Sequence, residues 1–524
     1  MNLSSLPELQ NEFGTRLGRG DLTGAAAVAT QCRAAWPLDR AGWLLGSIAA
    51  LLEDQKDTAL VLIDERLASH PTDVQCLLQK AECLLALGRR AEALAATEAA
   101  AEGSVDALAL DAIGEFLVHA GEHQRALGLY DRAVAAAPED PTIRAKRAVI
   151  HRFLGHFDRA EADYEAVLQI LPMSPKVLKG LVELRNQSAE RNSIATMEGA
   201  LAGAPTGSTD AALLHFGLAK SREDLGDYAG SWRHLNAGNA IERSLIRYDP
   251  ATDRTLIDEF ISGFPQVEPL RPDTTGERPI FIVGIPRTGT TLVDRIIGCH
   301  SQVHSAGELA ALSESIDAAI ERSGGARLTE CHQFAAALGV LDGSLIAAEY
   351  LARLRAWRGE KPRFTDKQLM NFYYCPLILR AFPKGRIVHL TRHPLGACHA
   401  IYRNRFNGSY PFAYDLDEIG EFYIGYRRLM AHWHTVLPNR ILDVAYEDVV
   451  TALEPTTRRV LEHLDLPFEA ACLEFHRNPA PVETASSVQV RQPLYDSSLH
   501  LWQHYAAGLS PLRARLEAAG IRIE

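Results

Sequence analysis

The sequence predicts two kinds of fold in one chain. An all-α array of stacked helical hairpins fills the N-terminal half, and an α/β domain with a parallel sheet and a glycine-rich anion loop follows. Three observations carry this. Gly88, Gly121 and Gly155 open similar segments 33 and 34 residues apart. The run Pro279-Ile-Phe-Ile-Val-Gly284 is continuously apolar and leads into a glycine loop and a helical pattern. Between them lies a segment rich in Pro, Thr and Asp that keeps no period. We therefore place a helical array over 1–240, a connector over 241–278 and an α/β domain over 279–524.

In the first half, GRRAEALAATEAA, GEHQRALGLYDRAVAAAP and GHFDRAEADYEAVLQILP align from their glycines. Ala93, Ala126 and Ala160 keep step, as do Tyr130 with Tyr164 and Pro138 with Pro172. Stepping back by 34 brings Ala59 and Pro71 into register, then Ala25 and Pro37. Five units share one frame up to about residue 174, and GDYAGSWRHLNAGNA from Gly226 reads as a weakened sixth. Glycine ends the first helix of a pair, alanine lets helices approach, and proline stops the second helix. The pattern resembles the tetratricopeptide repeat, whose hairpins bury their apolar faces on their neighbours and leave a concave groove. In the connector, a helix is expected over Thr252–Gly263.

The chain has 524 residues, 47% hydrophobic and 23% charged, with a formal net charge of −12. That is an ordinary globular composition with room for two or three domains. The acidic balance argues against a general nucleic-acid or anionic-membrane surface. Cys32, Cys76, Cys83, Cys299, Cys331, Cys375, Cys398 and Cys472 form no C-x-x-C pair and read as reduced thiols. No signal peptide and no membrane-spanning run is legible, so a cytoplasmic location is expected.

In the α/β domain, a strand buried on both faces should end at Gly284. Gly284-Ile-Pro-Arg-Thr-Gly-Thr-Thr291 then has the outline of a phosphate loop, and Thr291-Leu-Val-Asp-Arg-Ile-Ile-Gly298 has helical spacing. Backbone N–H groups of such a loop converge on an anion. A nucleoside-triphosphate loop carries lysine where this one has Thr290, and the cation inside the loop is Arg287. A second unit has the strand Ile387–Thr391 with Arg392 at its carboxyl end, where ligands bind in open parallel sheets. Arg392 is placed to fork onto a second phosphate. A third strand, Arg440–Glu447, ends at Tyr446, whose ring contacts a base or packs.

PRTGTT, LTRHPLGACHA and VRQPLYDSSLHLWQHY, in that order, resemble the sulfotransferases that use 3′-phosphoadenosine-5′-phosphosulfate. The chain is similar to bacterial tetratricopeptide-repeat sulfotransferases and, more distantly, to tyrosylprotein sulfotransferases. The resemblance implies a P-loop-type α/β domain in which Arg287, Thr288, Gly289, Thr290 and Thr291 cradle the 5′-phosphosulfate, with Arg287 near the bridging oxygen. Arg392 would hold the 3′-phosphate. The family's serine eight residues later is Ala400 here, so that contact is lost or is covered by His399 or Arg403. Arg491, Ser497 and Ser498 fall where the family closes a loop over the nucleotide. Glu308 is the implied base, ahead of His304 and His393, and Lys367 polarises the leaving group.

The function these readings imply is sulfuryl transfer from that donor to a hydroxyl or amine, protein tyrosine among the acceptors, leaving adenosine 3′,5′-bisphosphate and using no metal. Two other readings stand: a phosphate-loop nucleotide kinase or NTPase, and a tetratricopeptide scaffold that binds a nucleotide without turning it over. The acceptor is unknown. The groove of the array suits a protein or peptide acceptor, a second copy in a homodimer, or simple support of the other domain.

Overall fold

The computed structural model describes residues 5–102, 104, 106–267, 272–323, 335–483 and 487–523. Five helical hairpins open the chain: Leu6–Gly18 with Leu22–Ala35, Ala41–Leu52 with Lys56–Ser69, Val74–Ala86 with Arg90–Glu102, Ala107–His119 with His123–Ala136, and Pro141–Leu154 with Phe157–Ile170. The alanine of the repeat is fully buried in all five, as Ala25, Ala59, Ala93, Ala126 and Ala160, each 0% exposed. Each turn inside a hairpin needs one residue in the left-handed region. Gly20, Gly88, Gly121 and Gly155 supply it, and Asp54 does so in the second unit at φ 60°. Aspartate tolerates that conformation better than most residues, which is why the unit survives without its glycine.

The frame is lost after Lys176 for a structural reason. The helix Pro175–Glu183 is short, and no helix resumes until Ile194–Gly203. Regular pairing returns in Thr209–Asp224 and Tyr228–Leu245, joined through Gly226 at φ 76°.

Packing divides the chain into two units, Met1–His151 with Ala352–Ala356, and Arg152–Leu351 with Trp357–Glu524. The second unit thus contains the helices from Phe157 to Leu245 as well as the sheet. Part of the stretch expected as a connector is packed structure. Its helix runs Pro250–Gly263, begun by Asp249 accepting from the Ala251 N–H at 2.9 Å. Ile257, Phe260 and Phe264 on or just after it are each 1% exposed. Phe264 meets Trp433 edge-on, with ring centroids 5.7 Å apart.

The sheet has five strands: β1 Ile280–Gly284, β2 Val303–Ser305, β3 Arg363–Asp366, β4 Arg386–Thr391 and β5 Ile441–Ala445. Their order is β2-β3-β1-β4-β5, and every neighbouring pair is parallel. All five residues of β1 are buried, as a central strand covered on both faces requires. Connections run to one side of β1 through β2 and β3, then to the other through β4 and β5. The carboxyl ends of β1 and β4 therefore form the switch point where such sheets bind ligands.

Among the described residues, no helix is long and apolar enough to cross a membrane. Seven cysteines are free thiols, six of them buried; Cys331 lies outside the described residues. Because Ala126 fills its site at 0% exposure, Ala126→Leu should destabilise the first unit by about 1–3 kcal/mol through overpacking. Urea unfolding followed by circular dichroism would detect it, and an unchanged midpoint would refute the close-packed repeat interface.

Candidate active site

Strand register delivers the site. Gly284 pairs with Leu390, and Thr391 pairs with Ala445. The loop after β1, Arg392 after β4 and Tyr446 after β5 must then emerge side by side. They line one cavity of about 370 Å³, a size suited to a nucleotide-scale ligand.

The loop turns on two glycines that tolerate no side chain. A Cβ on Gly284 would stand 2.8 Å from the Leu390 carbonyl oxygen, and one on Gly289 would stand 2.6 Å from the Tyr446 ring. Between them Arg287 is held at φ 67°, a left-handed conformation that costs about 1–2 kcal/mol for a residue with a Cβ. The Thr288 hydroxyl donates to the Ile285 carbonyl at 2.8 Å and closes the turn. Gly289, at φ 94°, caps the helix Thr290–Gly298. That helix is bolted down through Asp294, which accepts from Thr365 at 2.6 Å and Ser305 at 2.7 Å.

Arg392 cross-links the walls. It donates to the Arg287 carbonyl at 2.9 Å and to the Ser498 carbonyl at 2.7 Å. Its guanidinium carbon lies 4.6 Å from the centroid of the Tyr446 ring, whose hydroxyl is 2.8 Å from the Ser498 hydroxyl. Five N–H donors less two leave the arginine further capacity. Arg287 donates to the Gln489 side chain at 2.8 Å. Burial, together with Arg403 and Arg392, pulls its pKa down to about 10; burial also lowers that of Arg392. The site is a cluster of desolvated cations.

Pro394–Tyr402 forms the next wall. Gly396, His399, Ala400 and Arg403 fall on one helical face and all border the cavity. At the start of this helix His393 is structural, its ring accepting from the Gly396 N–H at 3.3 Å and stacking on Trp502 at 4.5 Å. Arg403 donates to Glu223 at 2.5 Å and Arg405 to Glu242 at 2.7 Å.

Glu308, past the end of β2, borders the cavity and forms an ion pair with Lys367, past the end of β3. The Lys367 side chain is only 3% exposed, and its backbone N–H donates to the Gly307 carbonyl at 2.9 Å. The neighbouring Asp366 faces away from the cavity, accepting from Tyr350 at 2.8 Å and from the Gln368 N–H at 2.9 Å. Burial raises its pKa to about 7. Tyr410 also borders the cavity, and burial and the Glu308 charge push its hydroxyl pKa up.

The structure does not bring every expected residue to the cavity. Arg491 donates to the carbonyls of Phe153 at 2.8 Å and Ala480 at 2.9 Å, fastening a loop instead of bordering the ligand space. Ser497 begins a short helix behind Ser498, and only Ser498 borders the cavity. Thr288 is 1% exposed and held by its own turn. His304 engages the Trp357 carbonyl at 3.0 Å. The histidines that do cluster are elsewhere: Asp443 accepts from His389 at 2.7 Å and His434 at 3.0 Å, the one group among the described residues with donor atoms close enough to share a metal ion. Burial opposes ionisation of Asp443, but the two imidazoles outweigh it and hold its pKa low.

Sequence reasoning missed Gln489, Tyr410 and Arg405. Arg405 falls two residues past Arg403, beyond the end of the helix, and nothing local marks it. Gln489 reaches Arg287 across 202 residues, and no local signal points to it.

Residues 279–470 match the model of the Sulfotransferase family. The chain is 32% identical over 383 residues to an uncharacterized protein of Aquifex aeolicus (strain VF5), covering 71% of this chain and 49% of that one. It is 24% identical over 242 residues to the protein-tyrosine sulfotransferase of Drosophila melanogaster, covering 43% of this chain and 46% of that one. This chain thus matches about half the length of each. Among solved structures, the sulfotransferase domain from the curacin biosynthetic pathway aligns at 17% identity with a TM-score of 0.33, over 47% of this chain and 99% of that one.

Asp366 gives a stability prediction. Its folded pKa of about 7 stands above the ordinary carboxylate value of about 4, so the folded state keeps a proton that the unfolded chain releases. Stability from this group is fully present below the lower value and is lost as pH rises through about 7. The difference in melting temperature between Asp366→Asn and the wild type should therefore shift in favour of the variant across that window. A difference independent of pH would contradict the buried, proton-holding environment.

Proposed function

We propose that the domain carrying the sulfotransferase-family match transfers a sulfuryl group from 3′-phosphoadenosine-5′-phosphosulfate to a hydroxyl or amine acceptor. The observation that carries this reading is the convergence of two cationic anchors, Arg287 and Arg392, with an ionised Glu308–Lys367 pair at one cavity. The donor needs two anion sites and one base, and a loop without a lysine suits a phosphosulfate end better than a triphosphate. Asp366, the acid at the end of the strand beside β1, faces Tyr350 and the Gln368 N–H. Fully buried and away from the cavity lining, it presents no ligand to a magnesium ion there, which weighs against a kinase or NTPase.

In this reading the loop N–H groups and Arg287 hold the 5′ end, and Arg392 holds the 3′-phosphate. The donor supplies an activated S–O bond to its 5′-phosphate. An acceptor oxygen forms a new bond to sulfur, that S–O bond breaks, and its electron pair stays on the phosphate oxygen. Glu308 takes the acceptor proton. A proton arriving on Glu308 cancels the charge that Lys367 pairs with, so the lysine charge becomes available to the departing oxygen. Desolvated cations are suited to this task because they need little rearrangement as charge develops. Tyr410 beside Glu308 would form the acceptor side. The acceptor itself, a peptide tyrosine or another hydroxyl, belongs to the same proposal, as does a role for the repeat array in presenting it.

Calorimetric titration should show adenosine 3′,5′-bisphosphate binding more tightly than ATP. Tight ATP binding with no affinity for the bisphosphate would sink the assignment. With radiolabelled donor and a phenolic acceptor, Glu308→Gln should lower turnover by roughly 10²–10⁴-fold while bisphosphate affinity stays unchanged. Undiminished turnover would remove Glu308 as the base.

A further inference from the structure

His399 lines the cavity, and the reading above leaves its chemistry unused. It sits on the helix Pro394–Tyr402, one turn beyond Gly396 and one turn before Arg403, on the face that borders the ligand space. The residue is only 2% exposed, and its Nε2 is buried without a hydrogen-bond partner. An orphaned buried ring nitrogen costs about 1–3 kcal/mol, and a bound ligand atom is the economical way to satisfy it. The Tyr505 ring lies against it at a 33° tilt, with centroids 4.3 Å apart.

The charges around the ring say what kind of ligand it awaits. Arg392 and Arg403 lie close enough to act on it, and Tyr505 covers one side. Glu223 binds both Arg403 at 2.5 Å and Tyr505 at 2.7 Å, so the acid of this corner is already engaged. Burial first, then the two arginines, hold the imidazole pKa well below its usual value. The free protein thus keeps a neutral ring between two guanidinium groups. A doubly charged phosphate entering there reverses the balance, because an anion at hydrogen-bond distance favours the protonated ring.

We infer that His399 is a proton-coupled reader of the phosphate held by Arg392, donating from Nε2 and taking up a solvent proton as the nucleotide binds. This rests on the assignment of the cavity to a 3′,5′-bisphosphorylated nucleotide. It supplies the donor that Ala400 lacks, from the adjacent position on the same helix. The balance is simple: one proton moves from solvent to the ring, and no covalent bond changes. Affinity for a 3′-phosphorylated nucleotide then rises as pH falls, and affinity for one without that phosphate does not.

The test is isothermal titration at about pH 7.5, above the second phosphate pKa of about 6, in buffers of different ionisation enthalpy. Adenosine 3′,5′-bisphosphate and adenosine 5′-monophosphate are the probes. Wild type should take up approaching one proton per bisphosphate and none per monophosphate. His399→Gln, which keeps a donor near the Nε2 position but cannot titrate, should bind the bisphosphate without proton uptake. His399→Ala should weaken the bisphosphate about tenfold or more and leave the monophosphate unchanged. Equal proton uptake in wild type and His399→Gln would overturn the inference while leaving the nucleotide assignment intact. Equal weakening of both nucleotides in His399→Ala would assign the ring a purely structural role. Failure of wild type to bind the bisphosphate at all would remove the assignment and this inference with it.

Discussion

One guanidinium ties the site together. Arg392 leaves β4 next to the loop after β1, and its donors reach the Arg287 carbonyl on one side and the Ser498 carbonyl on the other. The Tyr446 ring beneath it, close against Gly289, sets its plane. Three strand ends and a distant C-terminal segment are thus held by one planar cation. Arginine is suited to this because its donors point in fixed directions; lysine could hold one of these carbonyls but could not brace all of them. The parallel register of β1, β4 and β5 is what makes the arrangement possible.

That cation is one of several kept out of water. Burial and the nearby Arg403 depress both Arg287 and Arg392, while Arg403 and Arg405 pair with Glu223 and Glu242, on the helical side of the same unit. Packing like charges without full compensation destabilises the fold, and such strain concentrates where a ligand of opposite charge is expected. The left-handed backbone at Arg287 belongs to the same pattern. An anion relieves the repulsion and uses dipoles already in place.

Much of this was legible along the chain, and the reasons differ by residue. The strand before the loop, the loop and Arg392 were readable because a buried parallel strand and its carboxyl end are local patterns. Tyr446 was legible at the end of its strand, but its contacts with Arg392 and Ser498 needed the register. Arg491 meets the carbonyls of Phe153 and Ala480, which its position in a loop could not announce. The Glu308–Lys367 pair joins residues 59 apart; each was visible alone, and their contact was not. Asp54 stands where the repeat's glycine would fall, because the backbone asks for a left-handed residue and not for glycine as such.

The packed helix Pro250–Gly263 bears on how this protein can be divided. Cutting at 279, where the family match begins, would strip the buried Ile257, Phe260 and Phe264 from the unit and bare the Trp433 ring that Phe264 meets. Cutting at 240 would keep that helix but lose Glu223, Ser231 and the Phe153 carbonyl, which receive Arg403, Tyr505 and Arg491. The compact unit that holds the cavity and these supports starts at Arg152. Sequence similarity marks out the chemistry, while the folding unit reaches upstream into repeats that share no motif with it.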